Sequence, residues 1–170
     1  MVNYINNHAP ANEKFIIAPH NINTKQIHQL QQSITKKTIL YSDKEATDLS
    51  KYQVFIIDTI GLLTKIYSYA DVAYVGGGLK TGLHNILEPA TFGVPIIFGG
   101  NKYKKFQEAA DLLALGGVTI VTKNDEISSI FTALKTNDDL RVKQGNINQQ
   151  YITDNLGATK KIMEYLKKTL

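Results

Sequence analysis

The stretch Val72–Gly100, VAYVGGGLKTGLHNILEPATFGVPIIFGG, decides the fold. Val72 to Val75 reads as a buried strand, and Gly76, Gly77, Gly78 and Gly82 as a glycine-rich turn. A helix is expected to open near His84–Asn85, and a second strand to run from Val94 to Phe98. A strand that passes through glycines into a helix start is a common backbone solution for holding a phosphate. Main-chain N–H groups approach the anion, and the helix dipole favours its charge. The same glycines also suit a tight turn that needs them only for positive φ. The pattern matches neither G-x-G-x-x-G nor G-x-x-x-x-G-K-[ST], so a dinucleotide fold or an ATPase loop is not supported.

Working outward, the chain alternates strands and helices. Phe15-Ile-Ile-Ala-Pro-His20 reads as a fully buried strand ending at Pro19, with Asn23 or Thr24 capping a helix that places Ile27, Leu30 and Ile34 on one face. Thr38–Ser42 and Val54–Asp58 read as further strands, and Gly61–Ala70 as a helix. Beyond the central stretch, a helix is expected from Lys105 to Leu115, a strand from Val118 to Val121, and a helix from Asp125 to Leu134. From Asp138 a helical tail follows, interrupted by Gly145 and Gly157, and residues 1–14 read as a linker or partial element. Continuous Val/Ile strands alternating with helices predict an α/β fold: a Rossmann-like parallel sheet of about six strands covered on both faces. In such sheets ligands bind beyond the carboxyl ends of the strands. Pro19–His20, Asp58–Gly61, Gly76–Asn85 and Gly99–Gly100 all fall at those ends.

The bulk composition narrows the function classes. At 170 residues the chain reads as one domain, with ordinary hydrophobic (43%) and charged (20%) fractions for a soluble globular protein. No apolar run approaches the roughly 18 residues of a membrane span, and the N-terminus lacks the regions of a signal peptide. With no cysteine there is neither a disulfide framework nor a cysteine-based zinc site, and the four histidines form no ligand cluster. No metal or other cofactor is expected. The net charge of +4, almost all from lysine, suits an anionic partner or a solvated surface. Nucleic-acid binding lacks its usual marks, an Arg-rich stripe or an aromatic RNA-binding strand.

Several side chains at the strand ends have two readings. Asn85 can cap the helix or donate to a phosphate. Glu88 is favoured near a helix start for electrostatic reasons, and it can also accept hydrogen bonds from ribose hydroxyls. Pro89 is tolerated only within the first helical turn. His20 and His84 are either phosphate donors or polar rim residues. No Ser–His–Asp or paired-carboxylate set can be drawn, so no catalytic residue is assigned in this chain.

VGGGLKTGLHNILEPATFGVPIIFGG, preceded by IIAPH and DTIGLL and followed by KFQEA, resembles the C-terminal half of 3-deoxy-D-manno-octulosonic acid (Kdo) transferases. The resemblance runs from about Phe15 to the C-terminus. It implies the donor-binding domain of an inverting GT-B glycosyltransferase that moves Kdo from CMP-Kdo to the lipid A precursor, in lipopolysaccharide biosynthesis. Carried onto this sequence, the family's donor contacts fall on Pro19 and His20, on Ile60, Gly61 and Leu62, and on Asn85, Ile86, Leu87 and Glu88. Gly76, Gly77, Gly78 and His84 lie beside them. The family has arginine where His20 stands and an acid where Leu62 stands, and its glycine loop is about one residue longer, which leaves Lys80 and Thr81 without an assigned role. The resemblance also implies that the membrane contact, the acceptor site and the catalytic base belong to an N-terminal domain, at the cytoplasmic face of the inner membrane. This chain is then a soluble donor-binding piece, inactive by itself. The alternatives are the nucleotide-binding domain of another GT-B enzyme using a UDP-sugar, or a non-catalytic nucleotide- or phosphosugar-binding module.

Overall fold

The computed structural model describes residues 1–45, 48–78, 82–123 and 125–169. The chain divides into two compact units, Met1–Ile66 and Tyr67–Leu170. The first holds helix α1 (Val2–Asn7), strand β1 (Phe15–Ile17), α2 (Thr24–Ser33), β2 (Thr38–Leu40), β3 (Val54–Ile56) and α3 (Leu63–Ile66). The second holds β4 (Ala73–Val75), α4 (Leu87–Thr91), β5 (Ile96–Gly99), α5 (Gln107–Leu115), β6 (Val118–Val121), α6 (Glu126–Thr136), α7 (Asp138–Asp154) and α8 (Ala158–Thr169). The fold is α/β with parallel strands, as the sequence predicts. The strands do not form one six-stranded sheet, however. Among the described residues they form two three-stranded sheets, β1-β3-β2 and β4-β5-β6, parallel throughout.

The first unit builds its core from Ile5, Ile27, Ile34, Leu40, Val54 and Ile56. Residues 2–7 belong to it: α1 buries Tyr4 and Ile5, and the Tyr4 hydroxyl donates to Glu13 Oε2 at 3.0 Å. Asn23 caps α2 by accepting from the Gln26 N–H at 3.0 Å. Strand β1 is not fully buried. Among the described residues it pairs only with β3, and Ile16 at its centre is 45% exposed. The long helix expected over Gly61–Ala70 is reduced to the four residues of α3, followed by a 3₁₀ turn at Tyr67–Tyr69.

The second unit has the larger core, made of Val75, Leu83, Ile86, Ala90, Ile96, Phe98, Ala109, Leu112 and Val118. Strand β5 is central in its sheet and buried at every residue. The helix expected from Lys105 starts later. Lys102–Lys105 is a 3₁₀ turn, and α5 begins at Gln107. α5 ends on left-handed Gly116, as the Gly116–Gly117 pair predicts. The tail breaks near Gly157 but not at Gly145, through which α7 runs unbroken. The reason is steric: a Cβ at Gly145 would overlap the Gly93 carbonyl oxygen, so glycine here lets α7 pack onto the turn before β5. Asn148, one turn further along α7, is fully buried and donates through Nδ2 to the Val94 carbonyl at 2.8 Å. Helix α8 buries no residue. Ile162, Met163, Tyr165 and Leu166 are all exposed along it. No helix among the described residues is long and apolar enough to cross a membrane.

In an open helix, alanine is favoured over glycine by about 1 kcal/mol. At position 145 the sign reverses: Gly145→Ala is expected to destabilise by about 1–3 kcal/mol. A rightward shift of the urea midpoint in this variant would show that α7 does not make this close approach.

Candidate functional site

Beyond Val75, the chain turns back on itself through the glycines. The His84 N–H donates to the Gly76 carbonyl and the Gly82 N–H to the Gly77 carbonyl, both at 3.1 Å. The three consecutive glycines have different duties. Gly77 has φ of 89°, and a Cβ there would overlap the Gly82 carbonyl and lie 2.6 Å from His84 Cδ2. At Gly78 a Cβ would overlap the carbonyl oxygen of Gly99, at the end of β5. Gly76 has room, its nearest neighbour being His84 Nδ1 at 3.6 Å. The turn is therefore a close-packed assembly: the His84 ring covers Gly76 and Gly77, and Gly78 meets the adjacent strand end.

The segment returning from the turn is anchored by Leu83 and Ile86, at 6% and 1% exposure. Burying each contributes about 1.5–3 kcal/mol, which holds the residues between them in place. Asn85 stays exposed and serves as a brace. Its Oδ1 accepts from the Leu87 N–H and its Nδ2 donates to Glu88 Oε1, both at 3.0 Å. Asn85 is not the cap residue, which is Ile86 with no side-chain cap bond; it braces the first helical N–H from one residue earlier, and the helix that follows is short. α4 begins at Leu87 rather than at His84–Asn85 and has five residues. Gly93 closes the segment that follows, its N–H donating to the Ala90 carbonyl. Pro89 lies within the first turn of α4 and is buried. So short a helix adds little dipole, and fixed N–H groups and side chains must do what the sequence assigns to it.

Glu88 is half-buried and faces Tyr67, whose hydroxyl is held above its ordinary range by burial first and the Glu88 charge second. The phenol opposite Glu88 had no signal in the sequence beyond its place in an apolar pattern. Of the candidates in this segment, Ile86 is a core residue that can offer only its main chain. The N–H groups of Gly82, His84 and Leu87 are already committed to internal acceptors. Lys80 and Thr81 lie outside the described residues.

In the first unit, Pro19 and His20 follow β1, while Ile60, Gly61 and Leu62 follow β3. These two strands are paired neighbours, so the segments leave adjacent carboxyl ends. Ile57 donates its N–H to the Ile17 carbonyl at 2.8 Å, which extends the pairing toward both segments. Asp58 Oδ1 accepts from the Ser42 N–H at 3.0 Å, tying the end of β3 to that of β2. Ile60 is 88% exposed, an apolar side chain held in solvent at a strand end, and Gly61 turns the chain with φ of 90°. Among the described residues, no group of acids, histidines or cysteines could hold a metal ion.

The class is a Rossmann-like α/β domain carrying a glycine turn at its strand ends. No protein-family model matches the chain. Over 123 residues it is 35% identical to the 3-deoxy-D-manno-octulosonic acid transferase of Chlamydophila psittaci, an alignment covering 70% of this chain and 28% of that protein. With the transferase of the same name from Haemophilus influenzae it shares 32% identity over 117 residues, covering 68% of this chain and 27% of that one. In fold it is similar to the crystal structure of the C-terminal CMP-Kdo binding domain of WaaA from Acinetobacter baumannii. That match has a TM-score of 0.66 and 25% identity, over 79% of this chain and 72% of the other. The chain is thus similar in sequence to 3-deoxy-D-manno-octulosonic acid transferases and in fold to a C-terminal CMP-Kdo binding domain. It spans 28% and 27% of the two curated relatives named above.

Two measurements check the site's geometry. Gly77→Ala should cost at least about 2 kcal/mol, from its left-handed backbone and the crowding by His84. Gly76→Ala should stay within about 1 kcal/mol of the parent. Equal effects in urea unfolding would contradict the packing described. Separately, Glu88→Gln should lower the Tyr67 titration, resolved as the ultraviolet difference from Tyr67→Phe, without restoring the ordinary value, because burial is the larger cause. An unmoved titration would show that the carboxylate and the phenol do not face each other.

Proposed function

We propose that this chain is the donor-binding domain of a Kdo transferase, holding CMP-Kdo while the sugar passes to a lipid A precursor. The observation that carries the reading is the turn itself: Gly76–Gly78 packed against His84, followed by the Asn85–Glu88 brace, in a chain whose sequence relatives are transferases of this name. The fold match to a domain named for binding CMP-Kdo supports the same donor.

In this reading the phosphodiester rests against the main chain of Gly76–Gly78 and the His84 imidazole. These groups stabilise the charge that develops on the departing CMP, and being preorganised they need little rearrangement as it leaves. Glu88 accepts from the ribose hydroxyls, its orientation fixed by the Asn85 amide. Ile86 acts through its main-chain N–H, and Leu87 lies beside it with its own N–H held by Asn85; in the first unit, Pro19, His20, Ile60, Gly61 and Leu62 are the residues that the resemblance offers as further donor contacts. His20 is the sole candidate at its position to stand in for the family's arginine, and it does so without a permanent charge or a bidentate fork. No cofactor takes part. The general base and the acceptor site belong to the remainder of the transferase, which works at the cytoplasmic face of the inner membrane. The 170-residue chain binds donor but does not turn it over.

Titration calorimetry with CMP and UMP tests this. CMP is expected to bind more tightly than UMP, and Glu88→Ala to weaken CMP about 10-fold or more, the loss of a charge-assisted hydrogen bond. Preference for UMP would transfer the reading to an enzyme of UDP-sugars, and Kdo transfer by the chain alone would refute the division of labour. His20→Ala with unchanged CMP affinity would remove His20 from the site.

A further inference from the structure

The 3₁₀ turn Lys102–Lys105, sequence KYKK, has no role in the account above. It adjoins the glycine turn at both ends. Gly78 packs on the carbonyl of Gly99, three residues before Lys102, and Gly82 lies against Phe106, the residue after Lys105, whose Cζ would be 4.0 Å from a Cβ at Gly82. Both ends of the segment Gly99–Phe106, which contains the lysine turn, therefore meet a glycine of the turn, Gly78 at one end and Gly82 at the other. Tyr103 anchors it: its ring packs on Phe98 with centroids 5.5 Å apart. Lys102, Lys104 and Lys105 are exposed around this anchor.

For stability alone these charges are badly placed. Residues three apart eclipse each other in a 3₁₀ turn, so Lys102 and Lys105 bring like charges together. The turn also leads directly into the N-terminal end of α5, where the helix dipole disfavours cations, and the first turn of α5 contains one acid, Glu108. Three cations held at the positive end of a helix, beside a turn suited to an anion, indicate a function that outweighs their electrostatic cost.

The chemistry of the donor supplies one. An octulosonic acid carries its carboxylate on the carbon next to the anomeric centre, so in the nucleotide-activated sugar this second anion lies within a few bonds of the phosphodiester. A domain that cradles the diester on glycine main chain needs cations immediately alongside for the carboxylate, and neutral hexose donors make no such demand. Resting on the function proposed above, we propose that Lys102, Lys104 and Lys105 form the subsite for the donor's sugar carboxylate and select an acidic over a neutral activated sugar. Lysine suits this work, offering a compact charge on a flexible stem that can follow the sugar as the bond to phosphate breaks.

The test is a comparison of CMP and CMP-Kdo affinities for the 170-residue chain and for the triple variant Lys102→Gln/Lys104→Gln/Lys105→Gln. The parent should bind CMP-Kdo more tightly than CMP. In the triple variant this preference should fall at least 10-fold, while CMP affinity changes less than 3-fold and the thermal midpoint stays level or rises. The corresponding triple arginine variant should keep the preference, since it keeps the charge. If the glutamine variant retains the parent's preference, or loses CMP and CMP-Kdo equally, the subsite is refuted. A parent that binds CMP but gains nothing from the Kdo group likewise refutes it, leaving the nucleotide reading intact. A parent that binds neither ligand overturns both.

Discussion

The approach of Gly78 to the carbonyl of Gly99 is the contact on which the second unit depends. It joins the ends of β4 and β5 through main chain alone, a spacing that no residue with a side chain permits at Gly78. The sheet brings both ends to the same level, since Val75 and Phe98 are register partners. From there one strand continues into the glycine turn and the other into Gly100 and the lysine turn. Leu83 and Ile86 then pull the returning chain into the core, which leaves the polar residues between and after them at the surface. The placement of Asn85 and Glu88 is thus settled by apolar burial on either side of Asn85, and hydrogen bonding sets their final orientation.

Hydrophobic runs gave a faithful guide to the strands, because a buried parallel strand needs a continuous apolar segment and few other segments supply one. Parallel pairing and the strand-end location of the candidate residues were legible for the same reason. Sheet size was not, since nothing in a strand's own residues records how many partners it finds. Helix lengths failed where local signals conflicted. Leu62, Ile66 and Tyr69 have helical spacing, yet the segment after Gly61 manages only four α-helical residues. The Leu87–Thr91 helix is held to five residues between the Asn85 brace and Gly93.

The least legible part was α7. The tail is expected to break at Gly145, and its stretch QGNINQQ is polar, yet the helix runs on and Gln144 and Asn148 are buried at 7% and 0% exposure. Gln144 donates to Thr119 Oγ1 at 3.2 Å and Asn148 to Val94. Their acceptor oxygens, Oε1 and Oδ1, are buried without a hydrogen-bond partner among the described residues. An orphaned buried acceptor costs about 1–3 kcal/mol, and the compensation here is close packing: Asn148 Oδ1 occupies the space above Gly117 that a Cβ would fill. A glycine beneath an amide and a glycine beneath a carbonyl let α7 approach the turn before β5 and the start of β6 more closely than side chains there would permit.

That seating has a bearing on how the protein is made. Val94 and Asn148 are 54 residues apart in the chain, and the clamp they form holds the start of the strand that ends at Gly99. While the ribosome is still synthesising the segment between them, β4, the glycines and β5 have emerged without the helix that secures them, and their apolar runs stand open to the solvent. Contacts this distant in sequence form late, since a long loop must close before they repay it. The nascent turn is therefore exposed to proteases and to pairing with other chains until α7 has been translated.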